Sequence, residues 1–219
     1  KLVASKAPNL PIAPVQYTQQ YQDQVLNSLR LYFNQVDNFS GGVANDTGGK
    51  YLRFPYIAAG DTTTQYATGN NTPTIVLWNT LFEGNAFDLN SDSTATVQQS
   101  GIYKITYSLQ FANNDVAQHD AIVWLRINDE DTTGSSTIFS LPARKSAGIS
   151  SYVCGYSEVV FALNAGDKIG LWWGTDTAAT SGGTTGVYIQ YQAAQTSPMA
   201  YPSAPSAIGS ITFVSALPT

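Results

Sequence analysis

From Gly101 to Phe111 the chain reads GIYKITYSLQF, the clearest structural pattern in the sequence. Large apolar side chains fill every second position after the glycine, and the positions between them carry Lys, Thr, Ser and Gln. A period of two is the pattern of a strand that turns one face to a core and the other to polar surroundings. The stretch therefore predicts a half-buried β-strand in an antiparallel sheet.

The same alternation recurs along the rest of the chain. It marks the ranges 123–127, 159–163, 169–173, 187–191 and 211–213. Shorter apolar candidates lie at 52–57, 75–81 and 136–141, with clusters of Gly, Asn and Asp between them. About ten short strands and a single helix predict a mainly β protein, an antiparallel jelly-roll sandwich preceded by an extended arm and one N-terminal helix.

Three strands also carry aromatic residues on the face that should be polar. Trp124, Trp172 and Tyr188 each alternate with apolar neighbours that already fill the opposite face. Because a monomeric sandwich turns one polar face of each sheet to water, we expect these three side chains to lie in a contact between subunits. The alternative is that loops of the same chain cover them.

Residues 17–39 are predicted to form the only long helix. Apolar side chains recur there at steps of three and four, and two glycines follow as a stop signal. Four of them fit two heptads of a coiled-coil seam: Leu26, Leu29, Phe33 and Val36. We expect this seam to pack against copies of itself, and the alternative is a helix packed on the core of its own domain.

The remaining segments divide the chain further. Residues 1–16 contain three prolines and are predicted to be an extended arm. Residues 40–50 are a glycine-rich joint, and residues 51–219 form the head. The arm carries apolar residues that favour its lying on another surface, with a disordered terminus as the alternative: Leu10, Ile12 and Val15.

Composition excludes several classes of partner. The chain has 219 residues, a formal net charge of −5 and only 10 Lys and Arg residues, so a face that tracks phosphates is not expected and nucleic acid is excluded. No apolar run approaches the ~20 residues that span a bilayer, so membrane insertion is not expected either. Because the chain has one Cys and one His, it can form neither an intramolecular disulfide nor a metal site that needs several cysteines or a pair of histidines.

The sequence also offers little catalytic chemistry, and neither an enzyme nor a cofactor is expected. His119 is interpreted as a loop residue with polar contacts, and Cys154 as a buried, small apolar thiol. The acidic run 128–131 could bind Ca²⁺, but it lacks EF-hand spacing, and a solvated turn is the favoured interpretation. The loops 60–72, 113–120, 128–137 and 174–186 could present a shallow sugar site, to which no residues can be assigned.

Four motifs resemble the jelly-roll superfamily shared by tumour necrosis factor and the globular head of the first complement component. They are Gly101–Ile105, Trp124–Asn128, Leu163–Ile169 and the closing strand Ile208–Val214, in the family's order. The resemblance covers roughly residues 70–215. It implies a tight homotrimer that associates through aromatic-rich faces, with Trp124, Trp172 and Tyr188 in the contact.

The segments Pro14–Tyr17 and Tyr32–Asn38 resemble the start of virion structural proteins of tailed bacteriophages, particularly those of cyanobacteria. This resemblance implies a non-enzymatic, homotrimeric head fibre, knob or decoration protein in a virion assembled in the host cytoplasm. The arm would dock on capsid, collar or tail through Leu10, Ile12 and Val15. The alternatives are a tail-associated fibre or receptor-binding protein that recognises a host glycan or protein, and a secreted lectin-like or cytokine-like module.

Overall fold

The computed structural model describes residues 10–12, 15–16, 18–41, 54–181 and 185–218. The chain divides into two compact units, Lys1–Arg53 and Phe54–Thr219. Most of the predicted arm, and the predicted joint from residue 42 onward, lie outside the described residues.

The first unit contains one α-helix, α1, which runs from Gln19 to Gly41. Thr18 caps it, because its hydroxyl oxygen accepts a hydrogen bond from the backbone N–H of Tyr21 at 3.3 Å. The predicted helix is therefore confirmed, with bounds two residues later at each end. Leu26 and Phe33 are exposed, whereas Leu29 and Val36 are half-buried.

In the described residues 54–181 and 185–218, the second unit contains strands and no helix. They are β1 Tyr56–Asp61, β2 Gln65–Tyr66, β3 Thr74–Ile75, β4 Thr80–Asn85, β5 Phe87–Leu89, β6 Ala95–Val97, β7 Gly101–Asn113, β8 His119–Ile127, β9 Glu130–Asp131, β10 Thr137–Leu141, β11 Ser151–Leu163, β12 Lys168–Thr175, β13 Val187–Ile189 and β14 Ala207–Ser215. The stretch Gly101–Phe111 is thus most of β7.

Strand β7 is central to the first sheet. Along one edge it pairs with β11 over its whole length, from Gly101 opposite Leu163 to Asn113 opposite Ser151. Along the other edge it pairs with β14 and then, beyond residue 109, with β13. Strands β1 and β4 continue the sheet outward from β14, and β2 continues it from β13.

The second sheet has the order β10-β8-β12-β6-β5, with β3 and β9 as short additions. All pairings in both sheets are antiparallel, and neighbours in each sheet are mostly not consecutive in the chain. Strands that cross repeatedly between two antiparallel sheets define a jelly roll. The predicted fold class is therefore confirmed.

The core lies between the inner faces of the two sheets. Strand β7 contributes Tyr103, Ile105, Tyr107, Leu109 and Phe111, all of them at most 4 % exposed. The second sheet faces them with buried residues of β8 and β12, which include Val123, Leu125, Leu171 and Trp173. Burial of each large apolar side chain contributes about 1.5–3 kcal/mol, so this alternation is the main source of the head's stability.

Candidate functional site

The outer face of the first sheet carries the largest group of exposed apolar side chains in the described part of the head. We call this surface the tyrosine face, after the residues that alternate along β11. Its exposed members are Tyr56 (38 %), Phe82 (45 %), Tyr152 (55 %), Tyr156 (58 %), Val160 (54 %) and Ile208 (42 %). A soluble monomer rarely shows so many large apolar side chains on one surface.

Strand register places these residues in rows, because directly opposed residues of paired strands point to the same side. One row contains Tyr152, Ala112, Tyr188 and Tyr66, and the rings of Tyr188 and Tyr66 stack at 5.8 Å. A second row contains Tyr156, Ser108 and Ile208, and then Gly60, over which the ring of Phe82 lies. A third row contains Val160, Lys104, Thr212 and Tyr56.

Polar side chains on the tyrosine face form an ion pair and a hydrogen bond with one another. The Lys104 Nζ lies 3.5 Å from an Oε atom of Glu158, and the hydroxyls of Thr106 and Ser210 are 2.7 Å apart. An exposed ion pair of this kind adds little stability. Its consequence is electrostatic, because the two charges neutralise each other near the centre of the tyrosine face.

The predicted head contact residues do not form one surface. Tyr188 lies on the tyrosine face, whereas Trp124 and Trp172 lie directly opposite each other in β8 and β12, on the outer face of the second sheet. All three side chains are half-buried within their own chain. The sequence reasoning did not name Tyr152, Tyr156 and Val160, although the same sign of a strand with two apolar faces is present in β11.

A polar cluster surrounds the two tryptophans. The indole N–H of Trp124 and the Nε–H of Arg126 both donate to Oδ1 of Asp131, each at 2.6 Å. The guanidinium carbon of Arg126 lies 4.1 Å from the ring centroid of Trp172, a cation–π distance. The bonds from Arg126 and then Trp124 hold the pKa of Asp131 below its ordinary value.

Beside this cluster lies an open cleft. Its walls are Trp124, Asp131, Thr132, Thr133 and Ser136, and its volume is about 310 Å³. The cleft exists because the chain leaves β9 at Asp131 and returns to the sheet only at β10, so residues 132–136 stand beside the Trp124 ring. It is at the small end of the range of about 300–1,000 Å³ that ligand pockets span.

The single histidine links two loops at one end of the head. His119 is the first residue of β8, and its side chain is only 10 % exposed. Its Nδ1 lies 3.0 Å from Oδ2 of Asp176, and its Nε2 lies 3.1 Å from Oδ2 of Asp115. Burial by itself lowers the pKa of His119, but the bonds to Asp176 and Asp115 outweigh it and raise the pKa above its ordinary value.

The interpretation of Cys154 as a buried thiol is wrong. Its side chain is exposed on the tyrosine face, where Sγ lies 3.2 Å from the hydroxyl oxygen of Ser108. The residue falls on the outward phase of β11, and its interpretation as buried rested on residue type and on its neighbours Val153 and Gly155.

The acidic run at 128–131 forms a tight hairpin turn. Asn128 and Asp129 both have positive φ angles, 54° and 68°, and the Asn128 side chain binds the neighbouring hairpin through Asp167 and the backbone of Lys168. Among the described ranges, no group of three His, Cys, Asp or Glu side chains is placed to hold a metal ion. Within the same ranges, no helix has the length and apolar character needed to cross a membrane.

The three residues predicted to dock on a particle are all exposed. Leu10, Ile12 and Val15 project from a segment without regular secondary structure in the first unit. Their role as a docking element stays a prediction.

Comparisons with known proteins find a likeness of fold. No protein-family model matches the chain, and no curated protein matches it either. Among solved structures, murine APRIL is 17 % identical with a TM-score of 0.45, and the match covers 74 % of this chain and 100 % of that one. The structure of Eiger TNF from S. frugiperda is 15 % identical with a TM-score of 0.45, covering 75 % and 96 %. At these identities the likeness concerns the fold alone.

Proposed function

We propose that the chain is a non-enzymatic structural protein of a tailed-bacteriophage virion, a homotrimeric head fibre, knob or decoration protein. The observation that carries the proposal is the tyrosine face, which leaves six large apolar side chains exposed on one sheet. The motifs that resemble phage virion proteins, in residues 14–17 and 32–38, support the virion setting.

The tyrosine face suits contact with another copy of the same chain. Its apolar rows supply area for burial, and aromatic residues are enriched in the cores of protein interfaces. Its central charges, Lys104 and Glu158, are already paired, so the approach of a second copy meets no unpaired charge there. In a ring of three, each copy would set this face against an edge of its neighbour.

The helix α1 supports the same assembly. Leu26 and Phe33 are more than half exposed in the single chain, and both occupy the first position of a heptad. Two heptads are too short to associate stably by themselves. We therefore assign the main assembly contact to the head, and a stem of three helices adds to it.

The mechanism is one of geometry and avidity. The arm with Leu10, Ile12 and Val15 docks on the capsid, collar or tail, and the head projects outward. Several copies on each fibre, and several fibres on each particle, multiply a weak contact with a cell surface, because the later contacts are intramolecular. No chemical step is required of any side chain.

The native mass of the full chain, and of the chain shortened to residues 54–219, tests the assembly. We expect a trimer in both, since the head carries the main contact. A monomer in both would overturn the trimer, and a trimer in the full chain alone would transfer the contact to α1. Proteomic analysis and antibody labelling of purified particles of the encoding phage test the virion role, which the chain's absence from those particles would contradict.

A second candidate function is a tail-associated fibre or receptor-binding protein that recognises a host glycan or protein. The cleft between Trp124 and residues 132–136 favours it, because a receptor-binding protein needs a concave site with an aromatic wall and polar groups.

A further inference from the structure

We propose that the cleft beside Trp124 binds a neutral sugar residue of a surface glycan, with the Trp124 ring as the platform and Asp131 as the main polar contact. The inference rests on the second of the functions proposed above, recognition of a host surface. It gives that function a site and a class of ligand. We call the five lining residues, Trp124, Asp131, Thr132, Thr133 and Ser136, the Trp124 cleft.

The Trp124 ring is held in one orientation. Its N–H edge is fixed by the 2.6 Å bond to Asp131, and its far edge lies near Gly174, where a Cβ would stand 3.9 Å from the ring. The ring is half-buried and forms a wall of the cleft. An immobilised aromatic face packs against the C–H face of a pyranose without an ordering cost for the ring.

Asp131 presents an acceptor that the protein itself does not use. Both internal bonds, from Trp124 and Arg126, end on Oδ1. Within the described part of the chain no hydrogen bond reaches Oδ2, and the side chain is 65 % exposed. A carboxylate fixed through one oxygen and open at the other accepts from a sugar hydroxyl in a charge-assisted bond.

The opposite wall of the cleft offers hydroxyl groups. Thr132, Thr133 and Ser136 all line it, and among the described residues none of their hydroxyls makes a hydrogen bond. Hydroxyls both donate and accept, which suits the mixed donors and acceptors of a sugar. An apolar ligand would leave these groups and Asp131 desolvated and unpaired, at a cost.

The charge balance of the cluster favours a neutral sugar over an acidic one. The Arg126 guanidinium already makes two contacts within the protein: it donates to Asp131, and it lies over the Trp172 ring. The pair Arg126 and Asp131 therefore has no net charge, and the outward oxygen belongs to the carboxylate. A sialic acid or a phosphate would face that oxygen and be repelled.

The Trp124 cleft does not lie on the tyrosine face, the surface to which the main assembly contact is assigned. The Trp124 cleft is on the outer face of the second sheet, and the tyrosine face is on the outer face of the first. A single small sugar site is weak and binds in the millimolar range. Three clefts on a trimer, repeated over a particle, would raise the effective affinity through multivalency.

The test uses the intact 219-residue chain and four neutral probes, the methyl glycosides of glucose, galactose, mannose and N-acetylglucosamine, with sialyllactose as the acidic comparison. Binding is measured by isothermal titration calorimetry, a signal that does not depend on Trp124 itself, and the native mass of each sample is measured as well. We expect saturable binding of at least one neutral probe and a loss of at least tenfold in affinity in Asp131→Ala and Thr133→Ala. Glu130→Ala, which removes the exposed acid next to Asp131, should leave binding unchanged.

Three results would overturn the site: no saturable binding of any neutral probe, undiminished binding in Asp131→Ala, or a preference for sialyllactose. A fourth variant, Trp124→Leu, separates the site from an assembly role. It should abolish binding and keep the native mass, whereas dissociation of the assembly would make Trp124 a subunit contact and overturn the sugar site. A monomer that binds sugar would refute the proposed trimer and support the sugar site. A trimer that binds no sugar would support the trimer and refute the sugar site.

Discussion

The ring of Phe111 lies so close over Gly155 that a Cβ on the glycine would come within 2.7 Å of Cε2 of the ring. The two residues belong to β7 and β11, the longest paired strands of the head. The ring cannot move aside easily, because Phe139 and Trp173 pack on it with centroids at 5.7 and 5.9 Å.

The substitution Gly155→Ala is therefore expected to lower the free energy of unfolding by about 1–3 kcal/mol, the usual cost of an overpacked core. Urea unfolding of the unit formed by residues 54–219 measures this change in the free energy of unfolding. Gly84→Ala is the matched control, since a Cβ there meets no atom closer than 3.6 Å, and it should change stability by less than about 0.5 kcal/mol. Equal effects of the two variants would contradict the packing argument.

The substitution Val160→Asp places a charge on the tyrosine face, at a position that is 54 % exposed in the single chain. If that face is the assembly contact, burial of the unpaired charge should dissociate the trimer, and the native mass should fall to one third. Ile138→Asp is the control on the outer face of the second sheet, at 64 % exposure, and should keep the trimer. Retention of the full mass in Val160→Asp would exclude this part of the face from the contact.

The substitution Phe33→Asp tests the helical stem. Phe33 is 58 % exposed on the predicted seam, and Leu31, on the other side of α1, is 57 % exposed. We expect Phe33→Asp, or the double variant with Leu29→Asp, to lower the melting temperature of α1 by circular dichroism while the head melts as before. Leu31→Asp should have no such effect, and identical melting of all variants would argue against the stem.

The His119 cluster predicts a pH dependence of stability. Because the pKa of His119 is raised on folding, its contribution is complete below its ordinary pKa of about 6.5 and is lost as the pH rises through the raised value. The pKa values of Asp115 and Asp176 are lowered, so their contribution is lost only as the pH falls through those lowered values. The cluster is therefore most stabilising in weakly acidic solution.

Unfolding measured from about pH 6 upward should show this loss of stability as His119 gives up its proton. His119→Gln, a neutral side chain of similar reach, should flatten that part of the profile. An unchanged slope in the variant would assign the pH dependence to other groups.

The period of two in β7 and the period of 3.6 in α1 were sufficient to predict the fold class and the helix. They report which side chains share a face of one element. They do not report which sheet an element joins, because pairing is decided by contacts distant in sequence. The sequence period therefore could not show that Trp124 and Tyr188 lie on different sheets, through β8 and β13, and their place in a subunit contact stays a prediction.

The candidate sites were harder to predict for the same reason. The Trp124 cleft needs Asp131 to bend back along β8 and reach Trp124, a geometry that follows from the positive φ angles of the turn at 128–129. The tyrosine face needs the register of β11, β7, β14 and β1 together. The exposed position of Cys154 follows from that register as well, and residue type alone favoured burial.

The central place of β14 in the first sheet also governs the order in which the head is made. Strands β1 and β4 are both synthesised by Asn85, but the partner of the other edge of β1 does not exist until residues 207–215 have been synthesised. At ribosomal rates of ~5–20 residues per second, synthesis from the end of β4 at Asn85 to the end of β14 at Ser215 takes about 6–26 s. During this time the free edge of β1 can pair with a strand of another chain. The risk of aggregation is therefore greatest during translation.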